Sequence, residues 1–294
     1  MKVGLYGAGA VGSSFLTLGQ KAGEEISVIG KGEYKERLEK GLVVNGEELI
    51  FPLAKDGEKF DLIFISVKAI SFNQALEDLK DHVGKDTIFV SLLNGVSTEE
   101  EIKKKYDNPV VHSVARGFFA SDGRNRSFDK DRISLTVGEE DGNGPSVDQV
   151  ESFLKKIDYK VIRADNILHN IWKKFSMNVS ENLLAAAMEM TYGEMKNRNI
   201  IAAIRLIQEE VLRVANAMGV PLTPGDIDDN ISALMGEVDH GKTSTLQDIQ
   251  GGRETEVDLF AGEMIRKGKV LGIPTPYSEL LYYLVKGKEE NQRN

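Results

Sequence analysis

The sequence predicts an α/β N-terminal domain with a doubly wound, mostly parallel sheet, followed by an all-α C-terminal domain. Two observations lead to this fold class. Short apolar runs alternate with amphipathic stretches through the first half of the chain, which is typical of a parallel sheet with helices on both faces. From Asp165 onward the apolar positions follow the helical period almost without interruption. We therefore expect one domain over residues 1–163 and a second over residues 164–294.

The elements of the N-terminal domain are expected in the following order. Buried strands are predicted at Val3–Tyr6, Ile26–Ile29, Leu62–Val67, Ile88–Leu93, Val110–Val114, Ile133–Val137 and Lys160–Arg163. Helices are predicted at Ala10–Ala22, Ser71–Leu79, Thr98–Tyr106 and Ser146–Lys156. The third of these helices begins with Ser97-Thr98-Glu99-Glu100, which predicts a capping box. A polar loop or hairpin is expected at Ser121–Asp131.

The C-terminal domain is expected to consist of helices. They are predicted at Asp165–Met190, Ile200–Met218, Pro224–Val238, Val257–Leu271 and Ser278–Lys286. Gly219-Val220-Pro221 and Gly272-Ile273-Pro274 end two of them, because glycine closes a helix and proline cannot continue it. The polar, glycine-rich connection between Val238 and Val257 is expected to be a functional loop, since long connections in compact domains are more often functional than idle.

The composition excludes several function classes. The chain of 294 residues carries a formal net charge of −9, with cations scattered among anions, which argues against nucleic acid or an anionic membrane as a partner. It has no cysteine, so disulfides, thiolate catalysis and cysteine-ligated metals are excluded. The four histidines are far apart in sequence, and no metal site is expected. No apolar run is long enough to span a bilayer, and Val3–Tyr6 is too short for a signal peptide, so we expect a cytoplasmic protein.

A glycine-rich hexapeptide, Gly7-Ala8-Gly9-Ala10-Val11-Gly12, follows the first predicted strand and begins the first predicted helix. This G-x-G-x-x-G pattern in a strand–turn–helix context predicts a dinucleotide-binding Rossmann domain. Its first glycine permits the tight turn, the second lets the backbone approach the pyrophosphate, and the third lets the helix pack on the strand. The helix N-terminus would add free N–H groups and a positive dipole end. The alternative is a glycine-rich turn without a ligand.

The end of the second strand predicts which dinucleotide is bound. An enzyme that uses NAD usually places Asp or Glu there to hold the ribose 2′-hydroxyl. Here the strand is followed by Gly30-Lys31, and a cation suits the 2′-phosphate of NADP, so NADPH is the expected cofactor. Glu33 keeps NAD open as the alternative, and Lys31 could also be a solvated surface lysine.

Two further segments follow predicted strands. Ligands of open sheets bind outside the carboxyl ends of the strands, where Lys68 and Asn94-Gly95 are expected to lie. We therefore include Lys68 and Asn94 among the candidate cofactor-binding residues. The alternatives are an exposed loop lysine and a plain turn, since Asn-Gly is a common turn dipeptide.

A polar row lies within the long predicted helix of the C-terminal domain. Lys174, Asn178 and Asn182 are four residues apart, which places them on one face of the helix. Most of the surrounding positions are apolar, and polar groups in a buried helix need partners. A polar substrate between the two domains would supply them. The alternative is a solvated face whose polar groups pair with neighbouring residues.

Several segments together have the order and spacing of one enzyme family. They are Gly7–Gly12, Lys31, Val67-Lys68-Ala69, Asn94-Gly95-Val96, the W-x-K-x-x-x-N-x-x-x-N pattern from Trp172 to Asn182, Ser244-Thr245-Leu246-Gln247-Asp248 and Thr255-Glu256-Val257-Asp258. Through them the chain resembles the ketopantoate reductase (2-dehydropantoate 2-reductase) family over nearly its whole length. Leu93 departs from the histidine that often precedes Asn-Gly, and Ser71 departs from a frequent glutamine. Both departures are expected near the cofactor, and neither removes a catalytic group.

The resemblance implies NADPH-dependent reduction of 2-dehydropantoate to (R)-pantoate, a step of pantothenate and coenzyme A biosynthesis. Lys174 is the expected proton donor, because a lysine in a poorly hydrated cleft can act as a general acid. The residues then expected to bind substrate are Asn94, Asn178, Asn182, Ser244 and Glu256. Those expected to bind the cofactor are Gly7, Ala8, Gly9, Ala10, Val11, Gly12, Lys31, Lys68, Asn94 and Glu256. The register of Ser244 against Thr243 and Thr245 stays open by one residue.

Two other functions remain compatible with the sequence. The first is a related NAD(P)-dependent oxidoreductase that acts on another 2-oxo or 2-hydroxy acid. Glu256 discriminates against it, because a carboxylate has little reason to lie beside a substrate without a hydroxyl near the keto group. The second is a dinucleotide-sensing protein without catalysis, against which Lys174 and Asn178 argue. The expected partner is a small 2-oxo acid, and a homodimer is compatible with the sequence.

Overall fold

The computed structural model describes residues 1–121 and 125–293, and of Arg293 only the backbone. The chain folds as two compact units, Met1–Asn170 and Ile171–Asn294. All described strands lie in the first unit, and the described part of the second unit is helical. The predicted fold class, an α/β N-terminal part with a mostly parallel sheet and a helical C-terminal part, is confirmed.

The strands and helices have the following bounds. The strands are β1 (Val3–Tyr6), β2 (Ile26–Ile29), β3 (Leu42–Val44), β4 (Glu47–Leu49), β5 (Phe60–Ile65), β6 (Val83–Ser91), β7 (Val110–Arg116), β8 (Phe119–Ser121), β9 (Asn125–Phe128), β10 (Ser134–Gly138) and β11 (Val161–Arg163). The helices are α1 (Ala10–Ala22), α2 (Gly32–Glu39), α3 (Phe72–Asp78), α4 (Thr98–Lys105), α5 (Pro145–Lys156), α6 (Ile167–Met177), α7 (Leu183–Met188), α8 (Tyr192–Met195), α9 (Arg198–Ala217), α10 (Pro224–Gly236), α11 (Ser244–Gln250), α12 (Glu263–Leu271) and α13 (Pro276–Arg293).

The main sheet of the first unit has seven strands in the order β11-β10-β7-β6-β5-β1-β2. Neighbouring strands are parallel except β7 and β10, which are antiparallel. Alternate side chains of β5 enter two apolar clusters: Leu62 and Phe64 pack with residues of α1 and α5, whereas Ile63 and Ile65 pack with residues of α3 and α4. Helices therefore cover both faces of the sheet, as the alternation of apolar runs predicts.

The carboxyl ends of four neighbouring parallel strands carry the predicted cofactor residues. The loop after β1 is the glycine hexapeptide, β2 is followed by Lys31, β5 by Lys68 and β6 by Asn94. Because parallel neighbours end at the same edge of a sheet, these four segments share the edge at which open sheets bind ligands.

A second, four-stranded sheet in the order β4-β3-β9-β8 was not predicted. Its strands β3 and β4 form a hairpin through Asn45 and Gly46, both with positive φ, which suits a two-residue hairpin turn. These strands have three residues each, too few to show a recognisable alternation. Helix α2 was missed as well, because Leu38 is its only fully buried residue.

The hairpin expected at Ser121–Asp131 is present in part. Strands β8 and β9 pair antiparallel, with Phe119 opposite Phe128. The residues that join them, 122–124, lie outside the described residues. A short 3₁₀ turn at Lys130–Arg132 follows β9.

The long helix predicted from Asp165 to Met190 is continuous but not uniform. It runs as α6, a π-helical turn at Asn178–Asn182, and α7. A second π-helical turn, Asp258–Gly262, leads into α12. Turns of this kind are rare and frequently mark functional sites. The other predicted helices are present with shifted ends, and α8 is an addition.

One sequence prediction is wrong, and one connection is more regular than the sequence indicated. Ser97 is the N-cap residue of α4, but its side chain makes no capping hydrogen bond, so the predicted capping box does not form. The connection between Val238 and Val257 is not a plain loop, because it contains helix α11. The Thr243 hydroxyl caps that helix by accepting from Leu246 N at 3.3 Å. The helix was not predicted because glycines lie on both sides of it in the sequence.

The compact units divide at Asn170, a few residues beyond the predicted limit after Arg163. The first turn of α6 belongs to the first unit for a packing reason. A Cβ placed on Gly138 of β10 would lie 2.9 Å from Ile167 Cβ, so Ile167 packs directly on that glycine. Asn143 Nδ2 also donates to Ala164 O at 2.9 Å. Among the described residues, no helix has both the length and the apolar character needed to cross a bilayer.

Candidate active site

The glycine loop of the first unit requires glycine at two positions for steric reasons. Gly7 has φ of +101°, and a Cβ there would lie 2.3 Å from the Ser66 carbonyl oxygen. A Cβ on Gly12 would lie 2.1 Å from the Gly7 carbonyl oxygen. Both distances are far below van der Waals contact. Gly7 therefore permits the turn and Gly12 the approach of α1 to the end of β1, the two roles that the spacing predicts.

The middle glycine is different, because a Cβ on Gly9 would meet no atom within 4 Å. Gly9 is the N-cap residue of α1, has extended backbone angles, and makes no side-chain cap. The space in front of it and the first-turn N–H groups of α1 form an open cradle at a helix N-terminus. Such a cradle fits an anionic group like the pyrophosphate of a dinucleotide.

Two side chains that the sequence did not indicate hold the loop. The Ala8 N–H donates to Tyr34 Oη at 2.6 Å, and the Ala8 carbonyl oxygen accepts from Arg126 Nε at 2.6 Å. Burial raises the pKa of Tyr34, which keeps it neutral. Tyr34 comes from α2 and Arg126 from β9, so no local spacing could have identified them. They fix the peptide planes on both sides of Ala8.

Lys31 follows β2 as predicted, but it has acidic neighbours. Its Nζ lies 3.7 Å from Asp78 Oδ1 and 4.0 Å from Asp81 Oδ2. Asp78 is largely buried and also accepts from Tyr6 Oη at 2.6 Å. The end of β2 therefore carries a lysine beside two carboxylates, one from α3 and one from the turn after α3. A 2′-phosphate bound there would have to compete with these carboxylates for the lysine. Glu33 is exposed in the first turn of α2.

Lys68 and Asn94 lie in the loops after β5 and β6. Lys68 is exposed and precedes a 3₁₀ turn, Ala69–Ser71, while Asn94 is half-buried. Hydrogen bonds connect the two ends of the Asn94 loop. Ser91 Oγ donates to Thr98 Oγ1 at 3.1 Å, and Thr98 Oγ1 donates to Glu99 Oε2 at 2.8 Å. Burial raises the pKa of Glu99. The loop is therefore held between β6 and α4 by a buried polar chain.

In the second unit, three of the predicted substrate residues lie together. Asn182 Nδ2 donates to Asn178 Oδ1 at 3.2 Å and is 3.3 Å from Ser244 Oγ. The two asparagines belong to the π-helical turn, and Ser244 is the first residue of α11. The predicted common face of Asn178 and Asn182 thus exists, although the turn between them is wider than in an α-helix.

The register around Ser244 follows from burial. Thr243 and Thr245 are buried, at 1% and 2% exposure, and Thr243 serves as the helix cap. Ser244 is exposed and contacts Asn182. Of the three hydroxyl residues, Ser244 alone is both exposed and in contact with the asparagine pair.

Lys174 and Lys173 face different neighbours. Lys173 Nζ pairs with Asp229 Oδ2 at 2.6 Å and with Asp226 Oδ1 at 3.2 Å, both on α10. Lys174 is half-buried and lies one helical turn before Asn178. The buried rings of Trp172 and Phe175 flank the two lysines in sequence and pack edge to face, with centroids 5.5 Å apart.

Glu256 lies half-buried just before the second π-helical turn. The residue before it, Thr255, donates through its N–H and its hydroxyl to Glu289 Oε1 at 2.8 and 2.6 Å. The two π-helical turns pack against each other. The segment of Glu256 is therefore anchored to α13 and adjoins the turn that carries the asparagines. No motif or spacing in the sequence indicated the role of Glu289.

A single arginine joins the two remaining motif segments. Arg253 Nε donates to Asp248 Oδ1 at 2.8 Å, and a terminal nitrogen of Arg253 donates to the Gln247 carbonyl oxygen at 2.8 Å. It fastens the end of α11 to the segment that leads to Glu256. The second unit thus contains two amides and a hydroxyl in mutual contact, a lysine one helical turn before the first amide, and a carboxylate on an adjoining segment. Such groups can bind a small oxygen-rich anion and exchange a proton with it.

Comparison with known proteins identifies the family. Two family models match, "Ketopantoate reductase PanE/ApbA" over residues 3–142 and "Ketopantoate reductase PanE/ApbA C terminal" over residues 166–289. Proteins named 2-dehydropantoate 2-reductase from Pyrococcus horikoshii and Streptococcus pyogenes are 28% and 29% identical, each over 98% of both chains.

Solved structures with the same fold include a ketopantoate reductase and a D-mandelate dehydrogenase. A ketopantoate reductase of the PanE/ApbA family from Ralstonia eutropha superposes with a TM-score of 0.86 at 26% identity, over 100% of both chains. A D-mandelate dehydrogenase in a ternary structure with NADH and anilino(oxo)acetate superposes with a TM-score of 0.90 at 25% identity, over 100% of this chain and 99% of that one. The resemblance inferred from the sequence motifs is confirmed, and the chain belongs to the ketopantoate reductase family.

Proposed function

We propose that this oxidoreductase is an NADPH-dependent 2-dehydropantoate 2-reductase, which reduces ketopantoate to (R)-pantoate for pantothenate and coenzyme A biosynthesis. The observation that carries the proposal is the cluster of Asn178, Asn182 and Ser244, on the helix that also bears Lys174. The names of the relatives support the substrate. The cytoplasmic location stays a prediction.

The residues of the first unit fit a bound dinucleotide. The open space at Gly9 and the N–H groups of α1 would receive the pyrophosphate, with Tyr34 and Arg126 holding the loop in place. Lys31 and Lys68 would face the adenosine 2′-phosphate. When bound, NADPH supplies the hydride.

The asparagine pair would orient the substrate. Both contacts of Asn182 Nδ2, at 3.2 and 3.3 Å, are longer than the usual N–H···O distance of about 2.9 Å, so a substrate oxygen can take the place of either partner. Ser244 would add a hydroxyl for the substrate carboxylate. Asn94 would contact both the substrate and the nicotinamide ribose.

Lys174 and Glu256 would handle the proton and the hydroxyl group. As the carbonyl carbon accepts the hydride, its oxygen becomes an alkoxide, and Lys174 Nζ donates the proton that completes the new alcohol. The ammonium charge stabilises the same oxygen before the proton moves. Glu256 would accept a hydrogen bond from the hydroxyl that distinguishes ketopantoate from simpler 2-oxo acids, and would also lie near the cofactor.

The second candidate is an NADH-dependent dehydrogenase of another 2-hydroxy acid. Two observations favour it: the fold similarity to a D-mandelate dehydrogenase with NADH, and the carboxylates of Asp78 and Asp81 beside Lys31. An acidic strand tip suits an unphosphorylated ribose. A dinucleotide-sensing protein without catalysis is the third alternative.

The test measures cofactor oxidation with a panel of 2-oxo acids. Ketopantoate, phenylglyoxylate and pyruvate are each supplied with NADPH and, in parallel, with NADH. We expect ketopantoate with NADPH to give the highest kcat/KM, by about 10⁴-fold over pyruvate, because a site that pairs with a substrate hydroxyl strongly rejects analogues without it. In Glu256→Gln that preference should shrink. A preference for phenylglyoxylate with NADH would establish the NADH-dependent dehydrogenase. The absence of turnover with every substrate and cofactor would favour the dinucleotide-sensing protein.

A homodimer also stays a prediction. Helix α13 exposes large apolar side chains along one stripe, Tyr277, Leu280, Tyr283 and Leu284, which are 38–71% accessible. A second copy of the chain would bury such a stripe. Sedimentation of the wild type against Leu280→Glu checks this, and two monomeric samples would contradict it.

A further inference from the structure

The π-helical turn that carries the asparagine pair has a second, buried side. Asn182 contacts Ser244 of α11, whereas Ser180 and Glu181 contact Gln208 of α9. Ser180 and Gln208 are fully buried, and Glu181 is 3% exposed. The proposed substrate residues therefore depend on a polar contact that is itself closed to water.

A network of neutral side chains makes that contact. Gln208 Nε2 donates to Ser180 Oγ at 3.0 Å, and Gln208 Oε1 accepts from Asn230 Nδ2 at 3.1 Å. Asn230 Nδ2 also donates to Ser176 Oγ at 2.9 Å. Ser180 Oγ in turn donates to the Ser176 carbonyl oxygen at 2.7 Å. This network joins α9 and α10 to the start of the π-helical turn, and the ionisable group at its end is Glu181.

The surroundings of Glu181 do not suit an ionised carboxylate. Among the described residues, the Glu181 carboxyl group accepts one hydrogen bond, from Gln208 Nε2 at 3.4 Å, which is a long distance for a charged acceptor. Two titratable groups interact electrostatically with Glu181: Glu237, which follows α10, and Tyr192 of α8. Within the described part of the chain, no cation has such an interaction with Glu181. The nearby Lys196 is bonded to the Glu237 carbonyl oxygen and to Asp239.

A second buried carboxylate on α9 shows the contrast. Glu210 is fully buried and accepts from Tyr277 N, Ser278 N and Ser278 Oγ at 3.0, 2.9 and 2.6 Å, at the start of α13. Three donors satisfy a buried carboxylate, whereas a single long bond does not. Burial, together with the charge of Glu237, raises the pKa of Glu181 to about 8.

We propose that Glu181 is a proton-dependent positioning residue, whose neutral form holds the π-helical turn against Gln208 and so keeps Asn178 and Asn182 in line with Ser244. When Glu181 loses its proton, the buried charge beside Glu237 draws the turn towards water and displaces the asparagines. Substrate affinity then falls, while the cofactor residues of the first unit are unaffected. The substrate role of the asparagines rests on the proposed function.

The test compares wild type with Glu181→Gln, a neutral variant of the same shape. In the wild type, KM for the 2-oxo acid should rise about tenfold between pH about 7 and pH about 9, because the competent neutral fraction of a group with a pKa of about 8 falls from about nine-tenths to about one-tenth. Glu181→Gln should keep a constant KM over that range. Glu210→Gln, the matched control on α9, should show the wild-type rise. An equal rise in wild type and Glu181→Gln would overturn the proposal.

A second readout needs no substrate and so separates this proposal from the proposed function. Glu181 is neutral in the folded protein over a range where it ionises in the unfolded chain. Wild type should therefore lose stability relative to Glu181→Gln as pH rises from about 4.5 to about 8, and the difference should level off above. If the difference in unfolding midpoint between wild type and Glu181→Gln did not change with pH, the claim that Glu181 is buried and neutral would be contradicted. If that difference does change with pH but KM still rises equally in both proteins, Glu181 is buried without positioning the asparagines, and the proposal fails.

Discussion

The glycine loop of the first unit and the π-helical turn of the second are both local departures from regular structure, but different forces impose them. The loop is imposed by backbone sterics: a side chain at Gly7 would collide with the Ser66 carbonyl oxygen, and one at Gly12 with the Gly7 carbonyl oxygen. The turn is imposed by side-chain hydrogen bonds from α9 and α10, distant in sequence. In the proposed function, cofactor binding would therefore depend on backbone shape, whereas substrate binding would depend on a polar network.

If the two regions have separate tasks, changes in each should have separable effects. A change in the second unit should slow the reaction and leave cofactor binding intact. A change in the glycine loop should do the reverse. The following substitutions test this separation, in order of decreasing effect.

Lys174→Ala should have the largest effect. Removing a general acid typically lowers turnover about 10²–10⁴-fold, and the loss should appear in kcat rather than in KM, because the group acts mainly in the transition state. NADPH affinity, measured by calorimetry, should stay within about twofold of wild type. A turnover loss below about tenfold would mean that another group, such as a bound water, supplies the proton.

Lys173→Ala is the matched control. Lys173 pairs with Asp226 and Asp229 and not with the asparagine row. Its loss should leave kcat nearly unchanged and lower the free energy of unfolding by about 1–2 kcal/mol, between the values for exposed and for buried pairs. If Lys173→Ala slowed turnover as much as Lys174→Ala, the assigned helix face would be wrong.

Gly9→Val should abolish most dinucleotide binding without unfolding the protein. A Cβ at Gly9 meets no atom, so the fold should tolerate it, but the side chain fills the space in front of the α1 N-terminus. Losing the charge-assisted bonds there should weaken NADPH by about a hundredfold, roughly 3 kcal/mol. Gly7→Ala is the contrasting variant, because its Cβ would collide with the Ser66 carbonyl, and it should lower the melting temperature. If Gly9→Val bound NADPH with wild-type affinity, the glycine loop would not be the phosphate-binding site.

Lys31→Ala should have the smallest effect. The lysine is half-exposed and lies beside Asp78 and Asp81, so it should contribute about 1–2 kcal/mol to NADPH binding and almost nothing to NADH binding. Asp81→Asn, which removes a competing carboxylate, should strengthen NADPH slightly. Equal losses for both cofactors in Lys31→Ala would refute recognition of the 2′-phosphate by this residue.

The same contrast explains how much could be predicted from the sequence. β1 and α1 were predicted to the residue, because Gly7-Ala8-Gly9 separates them and Gly23, with φ of +73°, ends the helix. The face shared by Asn178 and Asn182 was also predicted, since spacing fixes it. These features depend on neighbours in the chain.

What was missed depends on distant residues. The wide turn at Asn178–Asn182 has no spacing signature, and its sign in the sequence was the pair Ser180 and Glu181 inside an apolar helix. The carboxylates beside Lys31 come from α3 and the turn after it, and Tyr34 and Arg126 reach the glycine loop from separate elements. Three-residue strands such as β3 and β4 are too short to show a period.

Transfer of a label from cofactor to substrate tests whether the two units serve one reaction. The protein is given ketopantoate and NADPH dideuterated at the nicotinamide C4, and the product is analysed by mass spectrometry and NMR. Pantoate with one deuterium at C2 is expected, with a rate that falls in Lys174→Ala while NADPH binding persists. NADPH that binds at the glycine loop without any deuterium reaching C2 of ketopantoate would contradict the proposed reductase.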